Sequence, residues 1–288
     1  MSSRKTSALL LTSPWIVTFC LFWAFPLIYS FYLGFTDYQL LKDSAWVGLD
    51  NYRELFSDED FLASLKNTFV FVIGTIPITT VLALGMALLV NRQFPGRGLF
   101  RAAYFLPSIT SMVVVALIFT NLFERGGYIA LLANTIGLAP PQHGFLFDSS
   151  TALFSIMGMD IWMSVGYYML IFLAGLKAIP DELYEAAEIS GASRARQFFS
   201  ITLPLLRPVA LFIIVINSIK SFQVFVEIFV MTKGKFDTST VVYFIYDTGL
   251  QTTFRIGYAS AAAYVLFIII AVFSAIQFLL LRKGRTAW

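Results

Sequence analysis

Six long apolar runs, at residues 8–35, 68–90, 102–123, 153–175, 209–231 and 258–281, limit what this chain can fold into more than any other feature it has. A helix needs about 20 mostly apolar residues to cross a bilayer. Within hydrocarbon every backbone N–H and C=O must find its partner inside the protein, which a helix does by itself. The runs therefore predict an all-α polytopic membrane protein of six transmembrane helices. Composition agrees, since 58% of the 288 residues are hydrophobic and 13% charged, about half the charge of an average soluble domain.

An even number of spans puts both termini on one side, and the positive residues say which side that is. Arg4 and Lys5 precede the first run, and Arg92, Arg97 and Arg101 follow the second. Lys177, Arg194, Arg196 and Arg207 follow the fourth; Arg282, Lys283 and Arg285 follow the sixth. The opposite loops carry the sparser set Lys42, Arg53, Lys66, Arg125, Lys233, Lys235 and Arg255. Both termini are thus expected in the cytoplasm. The first run is too long for the apolar core of a signal peptide and is followed by no A-x-A-like site, so a retained helix is expected. Tyr29, Tyr32 and Tyr38 fall where amphipathic rings settle at the outer interface. Residues 46–67 mix acidic and apolar positions at helical spacing and are expected to lie along the outer surface. The division expected is 1–67, a first helix with this outer segment, and 68–288, a core of five spans with a cytoplasmic loop at 177–208.

Several kinds of chemistry are missing. Cys20 is the one cysteine and His143 the one histidine, so neither a disulfide framework nor a multi-histidine metal site can be built within the chain. No G-x-x-x-x-G-K-[ST] phosphate loop, G-x-S-x-G elbow or H-E-x-x-H motif occurs. A net charge of +3 is too small to favour nucleic acid. The chain is not expected to be an enzyme.

The stretch EAAEISGASRARQFFSITLP, 185–204, stands out against the apolar background. Pro180 and Asp181 mark a helix start, and Glu182 and Glu185 suit the positive end of its dipole. Gly191 supplies a left-handed residue to end the helix. ASRARQFFSITL then begins a second helix, which Pro204 is expected to stop. The result is a helical hairpin on the cytoplasmic face, either a docking knob or a surface connection between spans four and five. Its place between two spans, with Glu185 and Glu188 facing any phosphate, argues against a DNA-binding helix-turn-helix.

Glu185-Ala186-Ala187, Gly191 and then Ile201, Leu203 and Pro204 resemble the EAA loop of permease subunits from bacterial ATP-binding-cassette (ABC) importers. The likeness extends over nearly the whole chain, through PWIVTFCLFWAFPLIYSFYLGFTDY, VGLDNYRELF, RAAYFLPSIT, GLKAIPDELYEAAEISGA and SFQVFVEIFVMTKG, to the sugar-uptake branch and its maltose and glycerol-phosphate type first permease. It departs at TKGKF, 232–236, where relatives carry a Gly-Gly-Pro turn. The resemblance implies a type I importer permease in the bacterial inner membrane, working by alternating access. Implied partners are a second permease in a heterodimer, two copies of an ATPase that bind ATP and Mg, an extracytoplasmic solute-binding protein, membrane lipid and a sugar. Nucleic acid is not among them, and this chain itself binds no cofactor. Coupling to the ATPase would fall to Glu185, Ala186, Ala187 and Gly191, with Arg194 and Arg196 in supporting charge pairs.

Polar residues at membrane depth are costly and mark candidate sites. In span five Asn217, Lys220, Ser221 and Val224 follow helical spacing along one face, with Glu227 seven residues after Lys220. The resemblance adds Trp162, Ser164 and Tyr167 on span four and Ser108 on span three as places of the solute site. Aromatic faces and hydroxyl groups suit a sugar, although helix packing accounts for the same residues. Lys220 is expected to meet an anionic or strongly hydroxylated solute, or a carboxylate of a partner subunit, and Asp160 is a further buried-charge candidate. An ion-gradient-driven secondary transporter is the alternative; it would fit the span count but would need no docking hairpin.

Overall fold

The computed structural model describes residues 2–40, 44–137 and 140–282; Lys42, Lys283 and Arg285, counted above for orientation, lie outside them. In chain order the helices are α1 (Ser2–Phe19), α2 (Phe25–Leu33), α3 (Asp50–Leu55), α4 (Glu59–Asn91), α5 (Arg97–Ile109), α6 (Met112–Phe123) and α7 (Tyr128–Thr135). There follow α8 (Ala152–Lys177), α9 (Glu182–Ile189), α10 (Arg194–Gln197), α11 (Leu203–Phe222), α12 (Val226–Met231), α13 (Val241–Tyr246) and α14 (Ile256–Arg282). No strand occurs among the described residues. Five helical stretches are long and apolar enough to span a membrane, and a bent pair makes a sixth.

The third span differs from expectation. The apolar run 102–123 is two helices, α5 and α6, meeting at 98°. The break lies in the polar step Thr110-Ser111, where Thr110 takes extended backbone and Ser111 also leaves the helical conformation. Ser108 and Thr110 turn their hydroxyls onto the carbonyls of Phe105 and Leu106, satisfying the end of α5 without help from the next turn. The fifth span is also interrupted. The chain leaves the helix at Gln223, Val224 and Phe225 before α12 resumes, so the face drawn through Asn217, Lys220 and Ser221 does not continue to Val224 and Glu227. Residues 59–67, expected in a separate surface segment, are instead the first turns of α4.

Prolines are absorbed rather than obeyed. Pro204 was expected to end the second helix of the hairpin, but α10 passes through a π turn at Phe198–Thr202 directly into α11, with Pro204 in its first turn. A π turn at Cys20–Ala24 likewise precedes Pro26, joining α1 to α2. A proline has no N–H to donate and its ring crowds the carbonyl four residues back; the wider π turn shifts that carbonyl out of register and lets the helix run on.

Contacts divide the chain into two units, residues 1–62 with 244–267, and residues 63–243 with 268–288. In the first, Asn51 donates to the carbonyls of Gly34 and Thr36, and Arg255 donates to both carboxylate oxygens of Glu54, 2.6 and 2.5 Å away. The guanidinium also lies 4.3 Å from the centre of the Tyr258 ring, whose hydroxyl donates to Asp58. Tyr32 and Phe35 pack against Trp46, and Tyr29 stacks on Tyr32, so two of the three tyrosines expected at the outer interface belong to one aromatic cluster.

The second unit has two apolar centres. One gathers Phe71 of α4, Val115 and Phe123 of α6, Ile156 and Met159 of α8, and Ile228 of α12. The other joins Ala83 and Ala87 of α4, Met169 and Phe172 of α8, and Leu206 and Ile213 of α11. α5 and α8 cross backbone to backbone at Gly166, where any Cβ would fall on the Tyr104 carbonyl. That crossing sets the distance between α5 and the polar residues of α8.

Candidate functional site

Two places in the second unit carry polar groups that packing alone does not require. The first is a cavity of about 330 Å³ where α5, α6, α8 and α11 approach one another. Ser108, Ser164, Tyr167 and Lys220, four of the residues picked from the sequence, line it. Tyr168, Met163, Met112 and Ile216 complete the wall. Three of them were legible as helical neighbours, since Tyr168 lies one turn from Ser164, Met163 one turn from Tyr167, and Ile216 one turn from Lys220; Met112 is brought in by the bend between α5 and α6.

Lys220 is anchored inside its own chain. Its ammonium donates to Asp160 Oδ1 at 2.9 Å and to Ser164 Oγ at 2.7 Å. The Asp160 side chain is 3% exposed and that of Lys220 43%, so the carboxylate forms the back of the site and the ammonium its front. A buried carboxylate without such a partner would be costly. The sequence offered a carboxylate of a partner subunit for this lysine, but it is α8, 60 residues earlier, that supplies one.

The remaining residues of the set lie behind the cavity or outside it. Asn217 is buried and accepts from the Tyr168 hydroxyl at 3.2 Å. Ser221 is buried 3.3 Å from the Thr75 hydroxyl of α4. Val224 packs in the first apolar centre. Glu227, also buried, is in the first turn of α12, where a carboxylate complements the helix dipole. Trp162 is half-exposed and packs on Phe119 with ring centres 5.3 Å apart.

The second place is the hairpin. Gly191 has φ of +73°, the left-handed conformation that glycine adopts at no steric cost. Its N–H donates to the Glu188 carbonyl, and that of Ala192 donates to Ala187, both at 2.9 Å. This is the paired closure of a Schellman motif. Ser193 caps the next helix by accepting from the Arg196 N–H, and the hydroxyls of Tyr184 and Thr202, 2.9 Å apart, brace the two arms. Asp181 takes the expected position before α9, but its side chain makes no cap. Glu185, Ala186, Arg194 and Arg196 are exposed and Ala187 is half-buried. Leu183 and Ile189, 43% and 90% exposed, turn apolar groups to solvent beside them. A groove of about 300 Å³ runs between the arms, with Ala187, Ser190, Ala192, Arg196 and Gln197 on its walls.

Among the described residues no group of three or more His, Cys, Asp or Glu side chains is placed to hold a metal ion. Spanning helices around a membrane-depth cavity, with a polar hairpin on the positively charged side, define the class as a membrane carrier component. The chain belongs to the family described as binding-protein-dependent transport system inner membrane component, whose model matches residues 79–285. A probable ABC transporter permease protein of Bacillus subtilis (strain 168), YesP, is 36% identical over 272 residues, covering 92% of this chain and 87% of its own. The arabinooligosaccharides transport system permease protein AraP of the same organism is 33% identical, covering 96% and 88%. The lactose transport system permease protein LacF of Rhizobium radiobacter is 31% identical, covering 96% and 94%. In fold the chain matches a permease chain from the crystal structure of a bacterial ABC transporter that imports the acidic polysaccharide alginate, with a TM-score of 0.86 at 24% identity over 98% of this chain and 96% of that one. The protein is therefore a permease subunit of an ABC importer in the inner membrane and is not itself an enzyme. The comparisons give the ion-gradient-driven alternative no support.

Proposed function

We propose that this chain carries a sugar or oligosaccharide inward through the cavity of α5, α6, α8 and α11, and that the hairpin couples it to a separate ATPase. The observation that carries the reading is the hairpin itself. It is a short, firmly closed projection with small residues at Ala186, Ala187 and Gly191, apolar side chains at Leu183 and Ile189, and unpaired charges around them. No ion pair of Arg194 or Arg196 within the chain occurs among the described residues, which leaves both for carboxylates of the ATPase. The partners of this reading are a second permease, two ATPase copies that bind ATP and Mg, and a solute-binding protein that delivers the sugar from outside. Closure of the ATPase dimer moves the hairpins and opens the helices outward; hydrolysis returns them. The names of the relatives, for arabinooligosaccharides and lactose, support a saccharide, as do the hydroxyl and aromatic groups on the cavity wall.

The test is to tag the chain in its own cells, purify it in mild detergent and identify what accompanies it, for the native protein and for Gly191→Val. The native chain is expected to bring an ATPase and a second permease. The variant is expected to keep the permease and lose the ATPase, because valine strongly resists the left-handed conformation. An undiminished ATPase in the variant, with transport intact, would refute the coupling role.

A further inference from the structure

Asp160, Ser164 and Lys220 form a charge-compensated unit at the cavity wall, and the geometry points to a filter that admits uncharged saccharides and disfavours acidic ones. The inference rests on the reading of this cavity as the solute site.

An ammonium meant to bind an anionic solute would present its charge uncompensated. Here Asp160, almost wholly buried, already occupies the counter-ion position at 2.9 Å. A lysine ammonium has three N–H donors. Two are used, on Asp160 and Ser164, and the third remains for a solute atom on the cavity side, where Lys220 is exposed. A hydroxyl or ring oxygen can accept that bond without disturbing the pair. A carboxylate approaching Lys220 instead meets a unit whose formal charge is zero and whose buried oxygen repels it. Glu227, within electrostatic range of both Asp160 and Lys220, brings no positive charge to the pair. Tyr167, Tyr168 and Ser108 contribute only neutral groups to the wall. Asp160 is therefore a specificity-determining residue that acts through Lys220.

The experiment is equilibrium dialysis of two labelled probes against the assembled transporter in lipid nanodiscs, without solute-binding protein. The probes are a neutral arabino-oligosaccharide and an oligouronate of equal length. The native transporter is expected to favour the neutral probe. Asp160→Asn, which leaves Lys220 uncompensated, is expected to shift the ratio toward the uronate by about tenfold or more, since a bare charge in a partly dry site dominates selectivity. Asp160→Asn combined with Lys220→Gln restores neutrality and is expected to restore the native order, a rescue that a merely structural defect would not show. If Asp160→Asn fails to assemble, Lys220→Gln alone is expected to weaken the neutral probe while still excluding the uronate. Binding of neither probe would overturn the solute-site reading and the filter with it. Binding of both, with a native preference for the uronate or a ratio unmoved by Asp160→Asn, would overturn the filter and leave the solute site standing.

Discussion

Gly166 shows how one missing side chain positions a site. Its place in α8 lets the backbone of α5 touch it at Tyr104, and this crossing holds Ser108 and Ser164 on the same cavity wall. Gly166→Val is therefore expected to force the helices apart at a cost of about 3 kcal/mol or more, in the range of severe overpacking. Thermal denaturation of the detergent-solubilised variant, read by loss of monodisperse protein, should fall well below the native midpoint. Residue identity could be read ahead of the structure where the cause was local. Gly191 was legible because helix end, glycine and following helix lie within a few positions of one another. The partner of Lys220 was not, since periodicity relates residues on one helix, whereas Asp160 is brought by another.

Elements show the same division. The apolar runs located the spanning helices, the first being 10–33 in the structure, but not the helical extensions before the second and fifth, which begin at Glu59 and Arg194. Their interruptions went unseen, because Thr110-Ser111 and Gln223–Phe225 change direction without a change in average hydropathy. Pro204 misled for a related reason: a stop rule written for regular α-helix does not know of a neighbouring π turn. A sharper test at this scale concerns α3, which Glu54 ties to the chain entering α14 through Arg255. The hydrogen bonds from Arg255 hold the Glu54 carboxyl below its ordinary value of 4.5. A depressed acid gives stability that is complete above the unfolded value and lost as pH falls through the folded one. Both side chains are partly exposed, so the pair is worth at most about 1 kcal/mol. Amide-exchange protection of residues 50–55 is expected to hold at neutral pH and decline below 4.5, whereas in Glu54→Gln it is already reduced at neutral pH.

For the molecule as a whole, the positive residues and the hairpin assign opposite sides to two exposed positions, His143 between α7 and α8 and Ser190 at the end of α9. In a Cys20→Ser background, His143→Cys is expected to react with an impermeant thiol reagent added outside spheroplasts. Ser190→Cys should react only after the membrane is opened; the reverse pattern would invert the orientation. The helical column from Arg194 through the π turn to Phe222 has a mechanical meaning as well. It is one continuous helical rod, whose base is the second arm of the hairpin and whose far end carries Lys220. If the hairpin takes up the motion of an ATPase, as proposed, this helix would hand that motion to Lys220 ahead of its first interruption, at Gln223–Phe225. On the proposed function, grip on the solute and stroke of the motor would then be geared to a single moving part.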